Sequence, residues 1–230
     1  MRPTVLLFDI DGTLVTTGGA GRRAMQHSFE KLHGRGDVVN FPMDGLTDRL
    51  IVRRGLEALG VEVSEAAIDA VLAAYVALLA GELSRVPSEH FRVHTGMREA
   101  LARAADRGAA IGLGTGNVRT GARLKLEPLS LFHCFAFGGF GCDAELRVEL
   151  IRIGAERGAA SLGVPLAECR VVVIGDTPND VAAAQGIGAE CLAVGTGAYS
   201  PELLRDSGAT YAFSDLGADG ALAALLDGRG

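Results

Sequence analysis

Short apolar runs recur along the chain, and each stops abruptly at polar residues. The first, Thr4–Phe8, is followed at once by Asp9. A run of this length without polar alternation is typical of a strand buried on both faces, as in a parallel sheet. We expect three more strands of this kind, at Ala109–Leu113, Val171–Ile174 and Glu190–Val194.

Segments with helical periodicity lie between and after these runs. They cover Gly96–Arg107, Val118–Leu126, Glu145–Leu162, Asp180–Gln185 and the neighbourhood of Leu216–Leu226. Strands that alternate with helices indicate an α/β fold. We therefore expect a Rossmann-like, doubly wound parallel sheet.

The region from about Thr16 to Val93 interrupts this alternation, because we find no convincing strand in it. Helical periodicity predicts helices at Arg22–Leu32, Thr47–Leu59 and Ser64–Arg85. We therefore predict an α/β core of residues 1–15 and 94–230, with a helical domain of residues 16–93 inserted into it. Candidate hinges flank this insertion at Gly18–Gly21 and Thr95–Gly96.

Polar residues follow three of the predicted strands. Asp9 and Asp11 follow the first, a Thr115–Asn117 segment the second and an Asp176–Asp180 segment the third. Because the carboxyl ends of parallel strands share one edge of a sheet, these clusters should converge on one site. Asp9 and Asp11 would point the same way from a regular strand. Converging carboxylates need a cation, and an all-oxygen set with few protein ligands favours Mg²⁺.

The second polar cluster is a candidate phosphate-binding segment. Thr115 and the backbone amides of Gly116 and Asn117 offer neutral donors just before a predicted helix. Such amides and the helix N-terminus bind phosphate groups. The Gly18–Gly21 segment lacks the Lys-Ser/Thr of a P-loop, so we interpret it as a hinge instead.

Composition narrows the class of protein. The 230 residues are 48% hydrophobic, which suffices for a sizeable core, and the net charge of −6 disfavours general nucleic-acid binding. The four cysteines show no zinc-ligand spacing and are expected to be free thiols in a reducing cytosol. No apolar run approaches the ~20 residues of a membrane helix. We expect a cytoplasmic protein, monomeric or homodimeric, without a membrane partner.

Three segments resemble motifs of the haloacid dehalogenase (HAD) superfamily. Phe8–Leu14 (FDIDGTL) is similar to the first motif, Gly114–Asn117 (GTGN) to the second and Gly175–Asp180 (GDTPND) to the fourth. The inserted helical domain is similar in size and character to the type C1 cap of that family. The resemblance covers essentially the whole chain and implies a phosphoric monoester hydrolase.

The resemblance also implies a role for each polar residue. Asp9 would attack phosphorus to form an aspartyl-phosphate, and Asp11 would protonate the leaving oxygen and then deprotonate water. Mg²⁺ would be held by the Asp9 side chain, the Asp11 backbone carbonyl and Asp176, while Asp180 would orient its water ligands. Phosphoryl and substrate oxygens would be bound by Gly12, Thr115, Gly116 and Asn117.

The chain departs from the family at the third motif, which is normally a lysine. The two lysines, Lys31 and Lys125, are not well placed for this role. We expect Arg147 to replace it, with Arg152 as the fallback. A guanidinium there could bind the phosphoryl oxygens and pair with Asp9.

More than one activity of the family stays open. The carboxylate of Asp11 argues against a dehalogenase, and nothing beyond the presence of Lys31 supports a phosphonatase. A phosphatase resembling phosphoglycolate phosphatase is preferred. A β-phosphoglucomutase-like phosphomutase and a non-catalytic protein that binds a phosphorylated ligand are the alternatives. Arg22 and Arg49 could bind a substrate carboxylate, which favours phosphoglycolate as the small phosphorylated metabolite. Asp48 could also face the site.

Overall fold

The computed structural model describes residues 2–228 of the chain; Met1, Arg229 and Gly230, at the ends of the predicted core, lie outside this range. The strands are β1 (Thr4–Phe8), β2 (Val15–Thr17), β3 (Phe91–Val93), β4 (Ala110–Thr115), β5 (Phe137–Phe140), β6 (Arg170–Gly175), β7 (Glu190–Val194) and β8 (Tyr211–Phe213). Six of them form a wholly parallel sheet of order β5-β4-β1-β6-β7-β8. The predicted parallel sheet is therefore confirmed.

Helices cover both faces of this sheet. The helices flanking the sheet are α4 (Met97–Asp106), α5 (Arg119–Leu126), α6 (Arg147–Leu162), α7 (Pro178–Gly186), α8 (Pro201–Asp206) and α9 (Ala221–Asp227). Three more helices, α1 (Ala20–His33), α2 (Asp48–Leu59) and α3 (Glu65–Ser84), lie in the insertion. In β1, Leu6 and Phe8 belong to a buried apolar cluster with residues of α4, α5 and α9, whereas Val5 and Leu7 belong to a second cluster with residues of α6, α7 and α8. Because the four residues from Val5 to Phe8 are all buried, this central strand has a continuous apolar sequence.

Several elements were not predicted, and their sequences explain why. β5 reads Phe137-Gly138-Gly139-Phe140, without β-branched residues, and β8 is only three residues long. The short helix α8 was also missed. The expectation of no strand between residues 16 and 93 is wrong, because β2 and β3 begin and end the insertion.

β2 and β3 pair as a two-stranded antiparallel ribbon that joins the helical domain to the core. Val15 pairs with Val93, so both predicted domain boundaries fall at one end of this ribbon. Gly18 and Gly19, with φ of 54° and 76°, lead from β2 into α1. Beyond the ribbon, α1, α2 and α3 pack on one another around a separate apolar cluster. We call this helical domain the cap.

The helix α3 corrects one expectation. Its 20 residues include an 18-residue window with a mean hydropathy of 1.8, so the helix is long and apolar enough to cross a membrane by length and composition alone. The core helix of a soluble protein satisfies the same criterion. In this chain α3 buries Ile68, Val71, Tyr75 and Leu79 within the cap, where it packs against α1.

Candidate active site

The carboxyl ends of β1 and β6 bring Asp9 and Asp176 together. After Asp9 the chain turns sharply at Gly12, whose φ is +81°. A Cβ atom at Gly12 would lie 2.3 Å from Asp176 Oδ2, so a side chain cannot be placed there without displacing that carboxylate. The hydroxyl of Thr13 donates to Asp176 Oδ1 at 2.7 Å. The turn therefore fixes Asp176 against the end of β1.

Three buried carboxylates form the centre of the site. Oxygens of Asp9, Asp176 and Asp180 all lie within 4.8 Å of one another. Burial, together with the charges of Asp180 and Asp9, raises the pKa of Asp176 to about 8. Burial raises the pKa of Asp9 to about 6, although Arg147 acts in the opposite direction. The cluster thus holds more negative charge than its surroundings compensate.

Arg147 is a cation that lies against this cluster. It is the first residue of α6 and its side chain is only 8% exposed. Its guanidinium lies 3.0 Å from Asp9 Oδ2, and its Nε donates to Asp180 Oδ1 at 3.0 Å. Burial would lower the pKa of Arg147, but the two carboxylates raise it well above the usual range. The fallback, Arg152, instead pairs with glutamates on the exposed side of α6.

The donor set fits a hard divalent cation. Three carboxylates face one guanidinium, which leaves excess negative charge, and all the candidate ligand atoms are oxygens. Both oxygens of Asp180 already accept hydrogen bonds, from Arg147 and from the N–H and hydroxyl of Thr177. Asp9 and Asp176 are better placed to bind a metal, and Asp180 to orient the ligands around it.

Asp11 lies outside this cluster and has different partners. Its Oδ2 accepts from Lys125 Nζ at 2.5 Å and from Asn117 Nδ2 at 2.9 Å, while Thr17 donates to Oδ1 at 3.4 Å. Burial raises the pKa of Asp11, but Lys125 and these hydrogen bonds outweigh it and hold the pKa below its usual value. The contact with Lys125 was missed. The available signal was a lysine on the side of α5 that carries the buried residues Ala122 and Leu126.

A cavity of about 270 Å³ lies between the core and the cap at this point. Its core wall includes Asp9, Asp11, Gly12, Gly116, Asn117, Lys125, Arg147 and Asp176. Its cap wall includes Arg22, Met25, Met43, Asp48, Ile51 and Tyr75. The cavity therefore joins the acidic cluster to a cap wall of apolar residues that also carries one arginine, Arg22, and two carboxylates, Asp44 and Asp48.

Two of the predicted substrate-binding residues, Thr115 and Arg49, do not line this cavity. Thr115 is completely buried, and its Oγ1 accepts a hydrogen bond from Asn117 Nδ2 at 2.9 Å. Arg49 turns away to pair with Glu65 and Asp69 of α3. The expected contacts of Thr115 with phosphoryl oxygens and of Arg49 with substrate are thus not supported by the structure.

The cap is seated directly on the core beside the cavity. The N–H of Asp48 donates to the carbonyl of Gly116 at 2.8 Å, and its Oδ2 accepts from the N–H of Val118 at 2.8 Å. Burial raises the pKa of Asp48 to about 6. A Cβ atom at Gly116 would lie 2.4 Å from the carbonyl oxygen of Leu46, so glycine permits this close approach.

Comparisons with known proteins agree with this architecture. Over 223 residues the chain is 27% identical to a phosphoglycolate phosphatase of Rhodospirillum rubrum, covering 93% of this chain and 88% of that protein. The structure of a hydrolase from Pseudomonas syringae superposes with a TM-score of 0.67 at 20% identity, over 97% of both chains. A Thermotoga maritima structure assigned as a β-phosphoglucomutase superposes with a TM-score of 0.59 at 24% identity, also over 97% of both chains. At these identities the two structures show the fold alone.

A family model covers most of the core and the whole cap. It describes haloacid dehalogenase-like hydrolases and matches residues 3–188, which include the clusters at Asp9, Asn117 and Asp176. The resemblance found in the sequence motifs is thereby confirmed, as is the expectation of an enzyme. This chain belongs to the haloacid dehalogenase-like hydrolases.

Proposed function

We propose that the protein is a phosphatase that hydrolyses a small phosphate monoester through an aspartyl-phosphate on Asp9. The observation that carries this proposal is the pairing of Asp9 with Arg147, 3.0 Å away, on a cavity that Asp11 also lines. A carboxylate nucleophile, a fixed guanidinium and a second carboxyl group are the parts that phosphoryl transfer through a covalent intermediate requires.

Each residue has a defined task in this proposal. A carboxylate oxygen of Asp9 forms a bond to phosphorus while the bond from phosphorus to the leaving oxygen breaks, and Asp11 gives that oxygen its proton. Asp11 then takes a proton from water as the water oxygen attacks phosphorus, which releases phosphate and restores Asp9. Arg147 donates hydrogen bonds to the phosphoryl oxygens, where negative charge accumulates.

A divalent cation belongs to this proposal, and we infer Mg²⁺. Asp9, Asp176 and the backbone carbonyl of Asp11 would hold it, with Asp180 positioned behind them. When bound, it would supply positive charge that offsets the phosphate and the acidic cluster. The excess of buried carboxylates over cations supports this assignment.

The substrate we propose is a small ester such as phosphoglycolate. The name of the Rhodospirillum rubrum relative supports it, and Arg22 is the predicted cap arginine that lines the cavity. A guanidinium at the cap wall could bind a carboxylate on the leaving group. We further propose a cytoplasmic enzyme, monomeric or homodimeric, that acts on small phosphorylated metabolites and has neither nucleic acid nor membrane as a partner.

A phosphomutase is the second candidate, favoured by the close seating of the cap. The contacts of Asp48 with Gly116 and Val118 close the cap onto the core beside the cavity. Such closure could keep water from the aspartyl-phosphate until a sugar phosphate arrives.

Phosphate release with and without Mg²⁺ tests these proposals. The panel should contain phosphoglycolate, sugar phosphates and nucleotides, with Asp9→Asn as the blank. Release by the wild type alone would support the phosphatase, and the best ester would identify what the cap binds. If no ester releases phosphate but a sugar phosphate is isomerised, the phosphomutase replaces it. If neither reaction occurs, ligand-induced stabilisation would test for a non-catalytic binder.

A further inference from the structure

Lys125 is a buried lysine that the reaction described above does not use. Its side chain is 4% exposed, and it lies on the face of α5 that also buries Ala122 and Leu126. An ammonium group removed from water is strongly destabilising unless its charge is paired. Its partners are Asp11 Oδ2 at 2.5 Å and Asn117 Oδ1 at 2.6 Å. The charge is therefore directed at the site and not at solvent.

Lys125, Asn117 and Asp11 form a closed ring of hydrogen bonds. Asn117 accepts from Lys125 through Oδ1 and donates from Nδ2 to Asp11 Oδ2 at 2.9 Å. The same Nδ2 donates to the buried hydroxyl oxygen of Thr115. The orientation of the amide is thus set by an ammonium on one side and by acceptors on the other.

The ring holds one oxygen of Asp11 much more firmly than the other. Two strong donors converge on Oδ2, whereas Oδ1 receives only the hydroxyl of Thr17, at 3.4 Å, among the residues that the structure describes. The Asp11 side chain is 43% exposed and lines the cavity, while its partner Lys125 is buried. Oδ2 is therefore the anchored oxygen, and Oδ1 is the one free to reach a ligand.

The cap comes close to this ammonium group. A Cβ atom at Gly21, in the first turn of α1, would lie only 3.2 Å from Lys125 Nζ. Glycine at this position therefore lets α1 approach the ammonium group without displacing it.

We propose that Lys125 is a positioning residue that anchors Asp11 Oδ2 so that Oδ1 transfers the proton to the leaving oxygen. The inference rests on the proposed function. The step uses the protonated form of Asp11, which Lys125 disfavours in the free protein, so the contribution of Lys125 is one of geometry. As the bond from phosphorus to the leaving oxygen breaks, the proton on Oδ1 moves to that oxygen and the electron pair of the O–H bond stays on the Asp11 carboxylate. Without Lys125 the carboxyl group can rotate, and proton transfer loses its geometry.

The test compares two leaving groups in Lys125→Met. An alkyl phosphate has a poor leaving group that needs the proton, whereas para-nitrophenyl phosphate releases a stable phenolate that hardly needs it. The ratio kcat/KM reports the steps up to loss of the leaving group. We expect it to fall by about 100-fold for the alkyl ester and by less than about 10-fold for the aryl ester. Because both esters are measured on one sample, the comparison does not depend on the fraction of folded protein.

Two further variants make the test decisive. Lys31→Met removes the other lysine, which is exposed on the cap, and should leave kcat/KM unchanged for both esters. Lys125→Gln removes the charge but keeps a polar group, and it serves if Lys125→Met does not fold. It should also lower kcat/KM more for the alkyl ester than for the aryl ester. Equal losses for both esters would show a merely structural role and overturn the proposal, as would unchanged rates. If the wild type hydrolyses neither ester, the proposed function itself fails and the inference falls with it.

Discussion

The free energy of unfolding of an Asp176 variant tests whether the buried acidic cluster destabilises the metal-free protein. The substitution Asp176→Asn removes the charge while keeping an oxygen that can accept the hydrogen bond of Thr13. Its pKa is raised from 3.8 to about 8, chiefly by burial and then by the charges of Asp180 and Asp9. An ionised Asp176 therefore opposes folding when no cation is bound, and the amide relieves this.

The sign and size of the effect follow from proton linkage. A carboxyl group whose pKa is higher in the folded protein contributes most stability below its unfolded pKa and loses it as pH rises through the folded pKa. One pKa unit corresponds to about 1.4 kcal/mol. Ionisation of Asp176 can therefore lower the free energy of unfolding by at most ~5 kcal/mol at about pH 8 and ~2 kcal/mol at about pH 5. Relaxation around the site lowers both figures. We expect Asp176→Asn to be more stable than the wild type by ~2–4 kcal/mol at about pH 8 without metal.

Urea unfolding in a chelator at the two pH values measures this difference. Mg²⁺ should then stabilise the wild type more than Asp176→Asn, because it binds the folded wild type preferentially. Asp143→Asn is the control. Burial raises the pKa of Asp143, but its ion pair with Arg157 outweighs burial and lowers it, so this variant should lose stability. The reasoning would be refuted if metal-free Asp176→Asn were less stable than the wild type at about pH 8. It would also be refuted if the difference in free energy of unfolding between the two proteins did not grow with pH.

Three further predictions concern arginines of the site and the cap. Arg147→Met should lower kcat by about 10²–10³-fold and the free energy of unfolding by ~3 kcal/mol, because it leaves buried carboxylates uncompensated. Steady-state kinetics measures the first effect and urea unfolding the second. A near-normal kcat would show that another cation fills the role. Arg22→Met should raise KM for phosphoglycolate about 10-fold. The matched change Arg49→Met, away from the cavity, should leave KM within about twofold of the wild-type value. Equal effects of the two changes would show that Arg22 does not bind the substrate. Arg53→Met breaks a partly exposed ion pair with Glu145 of the core and should lower the free energy of unfolding by under ~1 kcal/mol in urea titrations. A larger loss would show that this pair holds the cap in place.

The cap residues show where sequence reasoning failed. Arg22 and Arg49 both occupy predicted helices, yet Arg22 lines the cavity while Arg49 pairs with Glu65 and Asp69 of α3. Helical periodicity places a residue on one face of its helix, but it does not say which other helix that face meets. The partner depends on how α2 and α3 pack, which no local pattern contains.

The local sequence by itself determined the strands with continuous apolar runs, the helices between them and the convergence of Asp9 with Asp176. The physical reason is that burial on both faces and parallel pairing leave a direct imprint on the sequence, and parallel strands end at a common edge. Only the tertiary structure decided that Lys125 meets Asp11, 114 residues away, and that Thr115 is buried behind Asn117. Such contacts depend on differences of a few ångströms in how packed elements meet, and side-chain hydrogen bonds form or fail over that distance.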